Sequence, residues 1–290
     1  MKPLLLVLGM GYSASRFVAL HRHTFARVAA TARSGEKIVG LKAQGIEAHQ
    51  FDGAASSDLI QAAREASHVL ASIPPGDEGD PALNALGGAL AENPNLQWIG
   101  YLSTTGVYGD RDGAWTDEET PLNPQSPRSV RRAAAERAWL DLTTAERAVQ
   151  VFRLSGIYGP RRNALAALKS GTERNLVKSG QVFNRIHVDD IAAVLAAALE
   201  RPTVGPVFNL ADREPAPSSD VVAFAAELLG IEPPAAMPFD AANMSEMAKS
   251  FWVENKRISA RRLETDLGVQ LAFPTYREGL RSLFADGEGR

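Results

Sequence analysis

The chain has no cysteine, so disulfides, thiol nucleophiles and thiolate metal sites are all excluded. It also lacks a charge bias. Its 31 lysines and arginines stand against 34 aspartates and glutamates, for a net charge of −3, so no broad basic surface is implied for a nucleic-acid partner. Long apolar runs are missing too. The opening MKPLLLVLGMG is shorter than a membrane span and enters a glycine turn rather than a cleavage site, so neither a membrane partner nor a secretory leader is expected. No internal repeat or low-complexity tract is present. The expectation is a soluble, cytoplasmic protein. With 290 residues, 45% of them hydrophobic, the chain can bury a large core as one α/β domain with an appendage or as two lobes.

What is present is an alternation. Short apolar runs at 4–9, 27–32, 46–51, 68–73, 96–103 and 149–154 read as strands, with helical patterns between them at 13–22, 36–44, 57–66, 80–91 and 127–146. Continuously apolar runs such as LLLVLG suit strands covered on both faces, so a doubly wound parallel α/β sheet is expected. A helix over 191–200, capped by Asp189 or Asp190, and a short strand at 206–211 follow, then short helices near 259–267 and 275–285 in a more irregular tail. The expected division is a sheet domain over 1–160, to which 181–211 returns, and a smaller lobe of 161–180 and 212–290.

The first chemical signal is LLLVLGMGYSASRF, with Gly9-x-Gly11-x-x-Ala14 between a buried strand and a helix. There the first glycine makes the tight turn, the second lets backbone N–H groups approach a pyrophosphate, and the third small residue packs helix on strand. Gly9, Gly11, Tyr12, Ser13 and Ala14 are therefore cofactor-binding candidates. About twenty residues on, where an NAD site carries an acidic residue, stand Arg33 and Ser34, a planar fork and a hydroxyl suited to a 2′-phosphate. NADP is the expected cofactor, with NAD, served by Glu36, as the alternative. Asp52 after the third strand is a candidate for the adenine.

In a parallel sheet the segments just after the strands share one edge, where ligands bind. That edge adds Ser72, Ile73, Pro74 and Ser103 as cofactor candidates, and Thr104 and Tyr108 as substrate-facing ones. At this point LSTTGVYGD, then ETPLNPQSP, FRLSGIYGP, NRIHVDDIAAV and the terminal PTYREGL resemble the extended short-chain dehydrogenase/reductase superfamily, the NAD(P)-dependent epimerase/dehydratase proteins. The resemblance implies a Rossmann sheet of about seven strands with a small C-terminal α/β substrate lobe, a small-molecule substrate, and assembly as a homodimer. It also implies that Thr104 binds the reacting oxygen.

The family's Tyr-x-x-x-Lys pair is absent, and Arg128 and Arg132 stand in its place. That departure resembles the atypical subgroup. Arginine stays protonated, with a pKa above about 12, so Arg128 cannot shuttle a proton as the tyrosine does. Both arginines share a helix face by their spacing of four, and both are site candidates, Arg132 also toward the cofactor ribose. Arg131 is expected to be solvated or paired with Asp117, Glu118 or Glu119. Tyr158 and Lys178 are further proton-donor candidates. His187 is expected to be a structural hydrogen-bonder, and no metal is expected. Two functions remain open: an NADP-dependent oxidoreductase or epimerase-like enzyme, and a non-catalytic NADP(H) sensor.

Overall fold

Five apolar residues, Leu4–Leu8, form strand β1, and all five are buried. Such a strand is stable only with neighbours on both edges and layers on both faces, and it has both edges paired. In the computed structural model, which describes residues 3–289, β1 pairs in parallel with β2 (Arg27–Ala32) on one side and β4 (His68–Ala71) on the other. Residues Met1, Lys2 and Arg290 of the expected domains lie outside the described residues. With β3 (Glu47–Gln50), β5 (Trp98–Thr104), β6 (Ala148–Leu154) and β7 (Val207–Leu210), the strands make one seven-stranded parallel sheet in the order 3-2-1-4-5-6-7. The order reverses between β1 and β4, the topological switch point where ligands bind in such sheets.

Five helices connect the first six strands: α1 (Tyr12–His21), α2 (Gly35–Ala43), α3 (Ser57–Glu65), α4 (Pro81–Ala91) and α5 (Pro127–Leu140). Side-chain caps set three starts. Ser34 accepts from Lys37 N, Ser56 from Leu59 N, and Asp80 from both Ala82 N and Leu83 N. Each satisfies backbone donors that the first turn leaves over. α5 ends at Leu140, earlier than the expected 146, because a Thr144–Arg147 turn intervenes and Arg147 donates to the carbonyls of Leu90 and Ala91 at the end of α4.

The chain gathers into two units. The first takes 1–104, 127–153 and 192–208; the second takes 105–126, 154–191 and 209–290. Residues 105–126 and 154–160, expected with the sheet domain, therefore cluster with the tail. The first unit has its core around Leu6, Leu8, Tyr101 and Trp139. The second contains three two-stranded pairs: Gly156–Tyr158 with Arg185–His187, Leu176–Val177 with Met237–Pro238, and Trp115–Thr116 with Arg257–Ile258. Its helices Ala164–Lys169, Ser218–Leu229 and Tyr276–Ala285 pack around Leu165, Phe224 and Leu280.

Two local expectations change. The tail is less irregular than its prolines suggest, since Ser218–Leu229 is a full helix closed by Gly230 at φ +66°. Asp189 and Asp190 do not cap their helix, which spans Val188–Glu200 and includes them in its first turn; Asp190 instead accepts from the backbone N–H groups of Ala272 and Phe273. No helix among the described residues is long and apolar enough to cross a membrane.

Candidate functional site

The turn after β1 is built from both neighbouring strands. Gly9 has φ +93°, a conformation that side-chain-bearing residues rarely adopt. Its N–H donates to Thr31 Oγ1 at 2.8 Å, Met10 N donates to Thr31 O at 2.9 Å, and Ser72 Oγ donates to the Gly9 carbonyl at 2.5 Å. A Cβ on Gly9 would lie 2.8 Å from Ile73 Cγ1. Ser72 and Ile73, both cofactor candidates, thus shape the turn itself.

Gly11 differs. It precedes α1 with no side-chain cap and with φ −82°, and a Cβ there would meet no protein atom closer than 4.0 Å. Neither conformation nor packing demands glycine here. What its smallness preserves is open space before the first turn of α1, which carries no carboxylate. That is the space a pyrophosphate needs against backbone donors, so the residues present fit a dinucleotide. Tyr12 is half-buried, whereas Ser13 and Ala14 are buried against the core.

At the end of β2, Arg33 is exposed and its carbonyl accepts from Gln50 Nε2. Ser34 acts as the α2 cap through its oxygen. One turn on, Lys37 donates from Nζ to the Met10 carbonyl, between the two glycines. The sequence reading passed over Lys37; its spacing of four from Arg33 was the available signal. Asp52 and Pro74 are exposed at the same edge of the sheet.

The arginines of α5 separate into three fates. Arg132 is buried and donates from Nη1 to Tyr101 Oη at 3.0 Å and Leu102 O at 3.1 Å, with its guanidinium 5.6 Å from the Tyr101 ring centroid. Arg131 pairs with Asp77 in the loop after β4, not with Asp117, Glu118 or Glu119 as expected; the loop reaches α5 and offers the carboxylate there. Arg128, one turn before Arg132, is exposed. Behind them, Ser103 Oγ donates to Glu136 Oε1 at 2.5 Å, and Glu136 receives Arg153 on both oxygens, with Nη2 at 2.8 Å. Ser103 is therefore tied into a buried network. Asp80 spends both oxygens, one on the α4 cap and one on Trp139 Nε1 at 2.9 Å, and burial raises its pKa. Thr104 ends β5, half-buried.

Within the second unit the tyrosine candidates are committed. Tyr108 is fully buried and donates to Asn209 Oδ1 at 2.8 Å. Asn209 in turn donates from its backbone to Glu118 and from Nδ2 to Ser259 O. Tyr158 lies edge-on to His187, and burial pushes its phenol well above the usual range. Lys178 donates to the Trp252 carbonyl. His187, buried, accepts from Asp189 N at 3.2 Å. An unforeseen lysine, Lys256, is buried and donates to Gly109 O at 2.7 Å and Glu254 Oε2 at 2.5 Å, fixing the loop after Tyr108.

Burial also pushes Asp212, just after β7, up to about 8. An unfolded aspartate titrates near 3.8, so between these values the folded state holds a proton that the unfolded state lacks. The group's contribution to stability is full below about 4 and is lost as pH rises towards about 8. Asp212→Asn is expected to flatten the stability profile across that window, as read by urea midpoints. A slope unchanged by the substitution would assign the pH dependence to another group.

The comparisons with known proteins agree with this geometry. The model of the NAD dependent epimerase/dehydratase family matches residues 84–211. A solved structure of a functionally unknown conserved protein from Silicibacter pomeroyi DSS is 44% identical, with 99% of this chain and 100% of that one covered and a TM-score of 0.88. Over residues 84–211 the chain resembles the NAD-dependent epimerase/dehydratase family. Protein YeeZ of Escherichia coli K12 is 27% identical over 263 residues, spanning 83% of this chain and 89% of YeeZ. The dTDP-glucose 4,6-dehydratase of Bacillus anthracis strain Ames, solved in complex with NAD, shares the fold at 20% identity, with 99% and 97% of the two chains covered and a TM-score of 0.72.

The structure brings Gly9, Gly11, Ser72 and Ile73 together at the turn after β1, while Arg33 lies exposed after β2. It also carries Thr104 and the α5 arginines in the same unit. It turns Ser103 and Arg132 toward internal partners, and it gives the Tyr108 hydroxyl to Asn209.

Proposed function

We propose that this chain is an NADP-dependent oxidoreductase acting on a small carbonyl or hydroxyl substrate. The observation that carries the proposal is the open space at Gly11 in front of α1, with Arg33 just after β2 and Lys37 in the first turn of α2 donating to the Met10 carbonyl between the two glycines. In this reading the glycine turn and the α1 N-terminus hold the pyrophosphate, and Arg33 with Ser34 and Lys37 receives the 2′-phosphate. Bound there, the nicotinamide supplies hydride chemistry. Thr104 donates to the reacting oxygen from the end of β5, and Arg128 favours negative charge on it. Arg128 cannot deliver the proton, because a guanidinium stays charged, so solvent at the edge supplies it. The reading includes a cytoplasmic homodimer.

Calorimetry with NADPH and NADH is the first test, followed by NADPH oxidation with aldehydes, ketones and nucleotide sugars. Arg33→Ala is expected to weaken NADPH by about tenfold or more, the scale of one charge-assisted contact, while NADH changes little. Equal binding of both nucleotides by the parent protein would remove the NADP assignment.

The commitment of the Tyr108 hydroxyl to Asn209 favours a second reading, a sensor that binds NADP(H) without turnover. Tight NADPH binding with no oxidation across the substrate panel would decide for it.

A further inference from the structure

The loop between β4 and α4 carries a small closed tip. Gly76 N donates to Gly79 O at 2.8 Å, and Gly79 N returns a bond to Gly76 O at 3.3 Å, with Gly79 at φ +95°. The two bonds close Gly76-Asp77-Glu78-Gly79 on itself, and all four residues are exposed. An exposed tip has no core to fix it, so its tethers set its position. One tether runs to α4, where Asn84 Nδ2 donates to Glu78 O at 2.8 Å. Another is the ion pair of Asp77 with Arg131, in the second turn of α5.

The ion pair is weak by construction. Arg131 meets one Asp77 oxygen through Nη1, while its Nε has no partner, so the contact is a single point rather than a fork. The two side chains are 36% and 86% exposed. An exposed pair of this kind biases an equilibrium by no more than about fivefold, and salt weakens it further. That is too little for a brace and suits a contact that opens often.

Its place gives it something to close. Ser72 Oγ bonds the Gly9 carbonyl, so β4 delivers the loop beside the glycine turn. Because α5 crosses between the parallel strands β5 and β6, its first turns stand at the carboxyl edge. In the sheet order, β4 lies between β1 and β5. A dinucleotide with its pyrophosphate before α1 and its far end at Thr104 therefore runs past the end of β4, where the tip is tied. The tip offers that ligand two carboxylates, Asp77 and Glu78, the wrong sign for holding a phosphate.

We propose that residues 74–79 form a gate over the path of the nucleotide, pivoting on α4 and latched to α5 by the Asp77–Arg131 pair. The gate rests on the NADP reading for what passes through it. The latch itself does not need the nucleotide.

The test has two arms, both on the full chain. Without nucleotide, a glutamate-specific protease reads the latch through its initial rate of cleavage after Glu78, since such cleavage tracks the population of the opened segment. Arg131→Gln and Asp77→Asn are each expected to speed it by about threefold to fivefold at an unchanged melting temperature. The reversed pair, Asp77→Arg with Arg131→Asp, should return it to the parent rate. In the second arm, stopped-flow NADPH fluorescence should show entry and exit both faster by a similar factor in the single variants, with Kd nearly unchanged. That signature belongs to a gate, whereas loss of a direct contact raises the exit rate and Kd together. Cleavage indifferent to both substitutions would overturn the latch. Unchanged nucleotide rates, or a faster exit with a weakened Kd, would overturn the gate. Cleavage that responds in a chain binding no pyridine nucleotide would keep the latch and remove the NADP reading.

Discussion

Gly11→Val is expected to abolish NADPH and NADH binding, by about 100-fold or more in Kd, which corresponds to roughly 3 kcal/mol, while leaving the melting temperature of the free protein nearly unchanged. The asymmetry follows from the turn itself. Gly11 has a φ open to any residue, and its missing Cβ meets nothing of the protein closer than 4.0 Å. A valine there costs the fold little but fills the approach to the α1 donors. Gly9→Val is the control. Its φ of +93° and the 2.8 Å approach of Ile73 Cγ1 place the cost in folding, so this variant should lose stability together with binding. Calorimetry paired with urea denaturation separates the two. Wild-type affinity in Gly11→Val would mean that the open space is not where the nucleotide lies.

Glu136→Ala carries the largest expected loss of stability, about 3–5 kcal/mol, the scale found when one partner of a buried ion pair is removed. The alanine would strand Arg153, whose Nε and Nη2 both reach the Glu136 carboxylate, and would release the Ser103 hydroxyl. Both charged side chains are almost fully buried, at 3% and 7% exposure, so water cannot step in cheaply. Replacing both members, as in Glu136→Leu with Arg153→Met, should recover much of the loss because no lone charge remains. Urea midpoints of the single and double variants form the measurement. A single variant within about 1 kcal/mol of the parent would show the pair to be solvated in solution, as exposed pairs are.

These two predictions mark the limit of what a sequence displays. The Gly9-x-Gly11 turn is legible because its chemistry is local. A buried strand, two glycines and a helix occupy fourteen residues, and each has a backbone reason to be there. The parallel sheet of about seven strands was legible through resemblance and through the alternation of apolar runs, but its strand order was not. The fates of the arginines were not. Arg132 turns inward because Tyr101 and the Leu102 carbonyl lie about thirty residues away in the chain yet adjacent in space. Ser103 looks like an edge hydroxyl until Glu136, 33 residues on, claims it. Tyr108 is separated by 101 residues from the Asn209 that accepts its hydrogen bond. Spacing arguments see helix faces and strand ends, but not which distant residue completes a hydrogen bond. The helix Ser218–Leu229 is a different kind of miss. Its apolar residues are nearly continuous, which hides the period, although the serines that open it and Gly230 after it are visible start and stop signals.

The first unit is stitched from three separate stretches of chain, ending with 192–208. A growing polypeptide therefore cannot finish its first unit until residue 208 has left the ribosome, by which time the early segments of the second unit have also emerged. Synthesis order and tertiary order are interleaved, so a fragment stopped near residue 160 would expose the flank of β6 where the last strand belongs.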